Sequence, residues 1–202
     1  MNNPSIGTWL SLPNESIAEI FSNAGYEWVV IDLEHSSINI SQAEGLIRTI
    51  DLAGSKPFVR LSGHDPSQIK RVLDAGAKGI LAPMVENAQQ IRAVIDACHY
   101  PPIGNRGMGL ARAQGYGAQK QKNHYIQNGC SEIEIFAQIE SVEAVKNVTS
   151  IFSEAIDGYF LGPYDLSASM GNPGDFQNES FKNVETIILK AAQDAKIKSG
   201  YH

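Results

Sequence analysis

The sequence predicts an α/β fold: a TIM (β/α)8-type barrel, truncated after the start of its seventh strand. Three observations predict it. Strand and helix signals alternate from one end of the chain to the other. Seven strand signals are found, and the first helix start lacks the GxGxxG fingerprint of a doubly wound dinucleotide-binding sheet. Four apolar runs each end in a polar residue able to do chemistry: WVVIDLEH (Trp28 to His35), PFVR (Pro57 to Arg60), IFAQIE (Ile135 to Glu140) and YFLGPYD (Tyr159 to Asp165). In a barrel of parallel strands such ends converge on the face that carries the active site.

Taken in order, SIGTWL reads as strand one. Asn14 caps a helix that runs to Asn23, with Gly25 just past its end. EWVVIDLE is strand two. Ser41 is expected to cap a helix carrying Ala43, Leu46, Ile47 and Ile50 that ends near Gly54. KPFVRL is strand three. Asp65-Pro66 opens a third helix, and Gly76 stops it. KGILAPMV is strand four, and Asn87 caps the helix from Ala88 to Cys98. Pro101-Pro102 breaks the pattern. The stretch PPIGNRGMGLARAQGYG is too long for a plain connector and reads as a functional loop. EIEIFAQIE is strand five, Ser141 caps the next helix, and AIDGYFLGP is strand six. LSASM is a short helical turn that Asp165 can cap. Phe181 to Lys196 is a helix, and Lys198 to Tyr201 opens strand seven.

The 202 residues suit a single domain, 1–202. One number does not fit: such barrels typically need about 250 residues. Either the barrel is incomplete, or the coding sequence is truncated, or another chain supplies the remainder. At 43% hydrophobic and 19% charged residues the chain can pack a core. Its net charge of −6, without a basic block, excludes nucleic acid as an expected partner. No apolar run approaches membrane-spanning length, and MNNPSIGTWL does not read as a signal peptide, so no membrane partner and a cytoplasmic location are expected. Cys98 and Cys130 lack CxxC spacing and read as free thiols.

Strand alternation puts Gln138 and Glu140 on one face. A carboxylate at the end of an apolar strand is costly unless paired, hydrated or metal-bound. Asp165 ends the next strand run, so both acids can reach one ion across neighbouring strands. Two carboxylates with open positions suit Mg²⁺ or Mn²⁺. The plainer alternative makes Asp165 a helix cap and Glu140 the partner of an arginine. In Asp32, Glu34 and His35 an imidazole follows a buried strand directly, which suits proton abstraction; the alternative is a surface loop histidine. Arg60 can clamp a carboxylate or stabilise an enolate, or it can simply pair with Asp32 or Glu34. Arg106, in GNRGMG, and Arg112 are further cations. Lys56 and Lys78 begin strands and no lysine ends one, which disfavours Schiff-base chemistry.

IDLEH, the VR of PFVR, LAPMVENA, NRGMG, QIES and GPYDLSASMG together resemble the HpcH/HpaI family of metal-dependent, class II pyruvate aldolases, from about Gly7 to His202. The resemblance implies a carbon–carbon lyase, a homo-oligomer in its family, that cleaves or forms 4-hydroxy-2-oxo acids through a metal-stabilised enolate. Its partners would be a 2-oxo acid such as pyruvate and an aldehyde, and its cofactor Mg²⁺, Mn²⁺ or Co²⁺. It implies metal ligation by Glu140 and Asp165, proton acceptance by His35 and enolate stabilisation by Arg60. It also implies substrate contacts by Gln138 and Tyr164, and a role for Asp74 in raising the basicity of His35. The same residues suit an oxo-diacid decarboxylase or a citramalyl-type lyase. A barrel lacking its last strand would also suit a non-catalytic subunit.

Overall fold

The computed structural model describes residues 4–202, apart from the side chains of residues 130 and 131, so the expectation for Cys130 falls outside the described set. In chain order the elements are β1 (Gly7–Leu10), α1 (Glu15–Asn23), β2 (Trp28–Asp32), α2 (Ile40–Leu52), β3 (Lys56–Arg60), α3 (Pro66–Ala75), β4 (Gly79–Ala82), α4 (Ala88–Cys98), α5 (Gln119–Asn128), β5 (Glu134–Ile139), α6 (Val142–Lys146), α7 (Val148–Phe152), β6 (Gly158–Leu161), α8 (Pro163–Ser169), α9 (Glu179–Ala195) and β7 (Lys198–Tyr201). The expected β-α alternation is present. The chain forms two compact units. One runs through Ile80 and adds Asp96–Ile133; the other joins Leu81–Ile95 to Glu134–His202.

In the first unit β1, β2 and β3 form a parallel ladder, with Gly7 opposite Trp28, Trp28 opposite Lys56 and Asp32 opposite Arg60. The first residues of β4 follow β3, where the Lys78 N–H donates to the Pro57 carbonyl (2.8 Å). Val29, Val30, Ile31 and Val59 are fully buried. A strand that reads as an unbroken apolar run is one covered on both faces, as parallel sheets are. In the second unit β5, β6 and β7 are parallel, with Phe136 opposite Gly158 and Gly158 opposite Lys198. Ala137, Ile139 and Ile151 are buried there, and Ile188 and Ala192 of α9 join them.

Local chemistry sets most boundaries. The Asn14 side chain accepts the Ile17 N–H and starts α1. Asp65 accepts the Ser67 N–H and starts α3, with Pro66 in the first turn. Gly76 ends α3 at φ +107°, a left-handed cap that a side chain would strain. Three boundaries differ from expectation. Asn39, not Ser41, caps α2. Asn39 Oδ1 accepts the Ser41 and Gln42 N–H groups, and Gln42 Oε1 accepts the Asn39 N–H, a reciprocal capping box. β4 stops before Pro83, which has no N–H to give a ladder. Asp165 does not cap α8; it lies in the first turn, because Pro163 opens the helix earlier and Gly162 is the capping residue. Cys98 is a buried free thiol, as expected. Among the described residues no helix is long and apolar enough to cross a membrane.

The capping box makes a test. Asn39→Ala should destabilise the protein by about 1 kcal/mol, a fall of roughly 2–4 °C in Tm for a chain of this size. Ser41→Ala, at an exposed position without a capping bond, should shift Tm by far less. Thermal melts of the two variants compare them directly.

Candidate active site

In the first unit the tips of β2 and β3 carry a joined set of charges. Asp32 and Arg60 are the last residues of their strands and lie opposite each other in register. Arg60 Nε donates to Asp32 Oδ1 (2.9 Å) and Nη2 to Oδ2 (2.7 Å), a bidentate pair with both residues buried. Arg60 Nη1 lies 3.3 Å from Glu34 Oε2, and the guanidinium stacks over the Trp9 ring, 4.7 Å from its centroid. Asp32 Oδ1 also accepts the N–H groups of Glu34 (2.9 Å) and His35 (3.1 Å), and Ser36 Oγ donates to the Asp32 carbonyl. Burial pushes the Asp32 carboxyl up. The Arg60 hydrogen bond and charge, with the His35 and Glu34 N–H groups, outweigh that and hold it below the usual carboxylate range. The turn so fixed delivers the His35 imidazole to the surface, 61% exposed, with Nε2 3.8 Å from Glu34 Oε2.

Asp74 stands elsewhere in the same unit, near the C-terminal end of α3. Its Oδ1 accepts from Arg106 Nη2 (2.6 Å) and Gln114 Nε2 (3.2 Å). The structure thus brings Asp74 to Arg106 and Gln114, not to His35. The Arg106 guanidinium is fully buried against the rings of Tyr100 (5.0 Å) and Tyr125 (5.6 Å), and its Nη1 donates to the Tyr125 hydroxyl (3.0 Å). Burial works against that charge, but Tyr125 and Asp74 more than restore it, leaving the guanidinium above its ordinary range. Gln114 completes the network, donating to the Tyr100 hydroxyl (2.8 Å) and accepting the Ala111 N–H (3.0 Å). Arg112 ties α3 to α2, from Nη1 to the Ala75 carbonyl (3.2 Å) and from Nη2 to Asp51 (2.5 Å). Arg106 is therefore an internal strut of the Gly-rich loop, not a cation offered to a ligand, whereas Arg112 braces the loop with its side chain partly exposed. A cavity of about 170 Å³ in this unit is lined by Asp51, Lys78, Arg112, Tyr125 and Glu132 among others, and by none of the expected site residues.

In the second unit the centre is Glu140, the residue after β5, with 2% of its surface exposed. Its Oε1 accepts the Met84 N–H (2.5 Å) and its Oε2 accepts from Gln138 Nε2 (2.5 Å). Gln138 Oε1 is buried and has no hydrogen-bond partner among the described residues. A buried acceptor left open calls for a donor or a cation. Gly162, at the end of β6, lies so close that a Cβ there would fall 2.6 Å from Glu140 Oε2 and 2.8 Å from Glu140 Cβ. Only glycine lets the chain pass this carboxylate. Three residues on, Asp165 is exposed in the first turn of α8, and no hydrogen bond or ion pair engages its side chain among the described residues. Tyr164 is 70% exposed and packs edge-on against Phe176, 5.0 Å between centroids.

The donor set of this unit suits a hard divalent ion. Glu140 offers carboxylate oxygens beside the unpartnered amide oxygen of Gln138, and the same unit carries the exposed carboxylate of Asp165. Among the described residues no group of three or more His, Cys, Asp or Glu is assembled for a metal. Mg²⁺ and its analogues do not require one, since they bind through one or two carboxylates and keep positions for water and substrate oxygens. Three features escaped the sequence: the Met84 amide, the Trp9 stack and the Gly162 passage. A glycine at the end of an apolar strand was the only available signal, since it marks close approach.

Comparison with known proteins follows the same lines. The sequence model of the HpcH/HpaI aldolase/citrate lyase family matches residues 5–199. A 4-hydroxy-2-oxo-heptane-1,7-dioate aldolase of Escherichia coli is 39% identical over 197 residues, covering 96% of this chain and 74% of the relative. The crystal structure of a family protein from Burkholderia cenocepacia J2315 superposes with a TM-score of 0.93 at 32% identity, covering 98% of this chain and 79% of the other. An HpcH/HpaI aldolase from Desulfitobacterium hafniense DCB-2 gives 0.91 at 30% identity, with coverages of 98% and 77%. With its family motifs on the strand tips and matches of this extent, the chain belongs to the HpcH/HpaI aldolase/citrate lyase family and is a carbon–carbon lyase.

Proposed function

We propose that the protein is a divalent-metal-dependent aldolase that cleaves, or in reverse forms, 4-hydroxy-2-oxo acids, giving pyruvate and an aldehyde on a (β/α)8-type scaffold. The observation that carries this reading is the Glu140 carboxylate: buried, held through both oxygens, and set beside the open acceptor of Gln138. Glu140 and Asp165 would hold the ion, which when bound polarises the 2-oxo group and steadies the negative charge that cleavage releases.

The remaining chemistry belongs to side chains. His35, exposed beyond the tip of β2, takes the proton of the substrate 4-hydroxyl as the C3–C4 bond breaks. Arg60 is a fixed donor for the oxygen on which charge develops. Asp32 and Glu34 prevent it from swinging away, and they discharge part of its field, which suits transient rather than tight anion binding. Gln138 and Tyr164 contact the substrate, Gln138 through the oxygen that has no other partner. Asp74 serves the loop through Arg106.

The reading makes direct demands. With Mg²⁺, Mn²⁺ or Co²⁺ added, the protein should release pyruvate from 4-hydroxy-2-oxo-heptane-1,7-dioate, measured by coupling to a pyruvate-consuming dehydrogenase. A folded sample inactive with all three ions would refute it. Glu140→Gln should abolish Mn²⁺ binding by electron paramagnetic resonance. His35→Ala should lower kcat by about 10²–10⁴-fold and leave Mn²⁺ binding intact.

Asp32 gives a stability test. Its folded carboxyl titrates below the unfolded value of about 3.9. Its contribution is therefore fully present above that value and is lost as pH falls through the folded one. Asp32→Asn should cost about 3 kcal/mol at pH 7 by leaving Arg60 under-paired. The gap to wild type should close below about pH 4, as followed by urea unfolding across pH.

A further inference from the structure

We propose that Met84 is a positioning residue whose main-chain N–H, held in the left-handed region, sets the orientation in which Glu140 binds a divalent cation. The proposal rests on the metal-dependent reading above. Met84 follows Pro83 at the end of β4 and has φ +50°. For a residue with a Cβ this region costs of order 1 kcal/mol or more. Methionine has no short polar side chain to offset that cost, as Asn or Asp would. Nor does packing compel the conformation, for the Met84 side chain is 47% exposed. What the conformation delivers is the N–H, aimed at Glu140 Oε1 at 2.5 Å.

Glu140 is thereby held from two sides, by a main-chain donor on one oxygen and by Gln138 Nε2 on the other. Gly162 closes a third side, since its backbone lies against the carboxylate and its Cβ. A donor on each oxygen fixes the plane of the carboxylate. Groups that orient a ligand carboxylate commonly govern metal affinity by ten- to a hundred-fold. The functional part of residue 84 is its backbone, so φ tolerance and not side-chain bulk decides which replacements are accepted.

That gives a pattern a structural role would not produce. Met84→Gly and Met84→Asn, both at ease at positive φ, should bind Mn²⁺ within about two-fold of wild type by electron paramagnetic resonance of the free ion. Met84→Val keeps an apolar side chain but resists that φ, and should weaken Mn²⁺ by roughly ten-fold while retaining wild-type circular dichroism. Weak binding by the Gly variant, or wild-type binding by a folded Val variant, overturns the proposal. A second measurement uses the unaltered chain and so does not depend on the Val variant folding. With ¹⁵N-methionine labelling, the Met84 amide, identified by its absence in Met84→Gly, should move saturably as Mg²⁺ is added, with the midpoint found by Mn²⁺ competition. Ion binding without movement of that amide overturns the role of Met84 alone. Failure of wild type to bind any divalent ion overturns the metal-dependent reading, and this proposal with it.

Discussion

A charge at the tip of a doubly buried parallel strand has no water on either side of its strand, and its partners must come from the neighbouring tip or the turn that follows. The Asp32–Arg60 pair is how this chain meets that constraint. The register places the two residues opposite each other, and the fork of the guanidinium matches the carboxylate. Such a pair adds little net stability, because desolvating two charges costs several kcal/mol per ion. What it supplies is geometry. One carboxylate fixes Arg60, and through the Glu34 and His35 N–H groups it also fixes the turn that presents the imidazole.

The same constraint is met differently at Glu140. Two of its partners are neutral, a main-chain N–H on one oxygen and a side-chain amide on the other. They orient the carboxylate without bringing a charge to it. Asp32 is instead gripped through both oxygens by a guanidinium. Glu140 lies next to an acceptor with no partner among the described residues, Gln138 Oε1.

The parts legible in the sequence were those decided within a few residues. Apolar runs gave β2, β3 and β5 to within a residue or two and β6 to within three, and Asn14, Asp65 and Ser141 cap the helices that follow them. The misplaced cap of α2 shows the limit of that logic. Ser41 and Asn39 are both acceptable caps, and the decision falls to Gln42, which can reach back only to Asn39. Strand tips likewise marked Arg60, Glu140 and Asp165 as polar residues on apolar ends. What each binds depends on chain far away in sequence, as with Met84 on Glu140 or Gln114 on Asp74. No local pattern encodes a positive φ at Met84 either, since methionine is not a residue that announces one.

Arg60, which the sequence offered as a clamp, and Arg106, which it offered as a further cation, show why residue type and loop context are weaker guides than surroundings. Arg106 sits in a Gly-rich loop that read as functional. Yet its guanidinium has no exposed surface, packs against two tyrosine rings, and is neutralised by Asp74. Asp74 lies on α3 and Tyr125 on α5, so removing this one side chain would release the loop from both. Gln114 repeats the anchor from the far side of the loop. Between these two fixed points Met108 and Leu110 are more than half exposed. A loop of this length pays a large ordering entropy unless its base is pinned. Arg106 and Gln114 do the pinning, which is why the most conspicuous cation in the loop is the one least available for chemistry. Arg60 shares the burial but not the isolation, for its Glu34 contact borders the exposed His35 imidazole, and that contact ties it to the strand tip where a substrate can arrive.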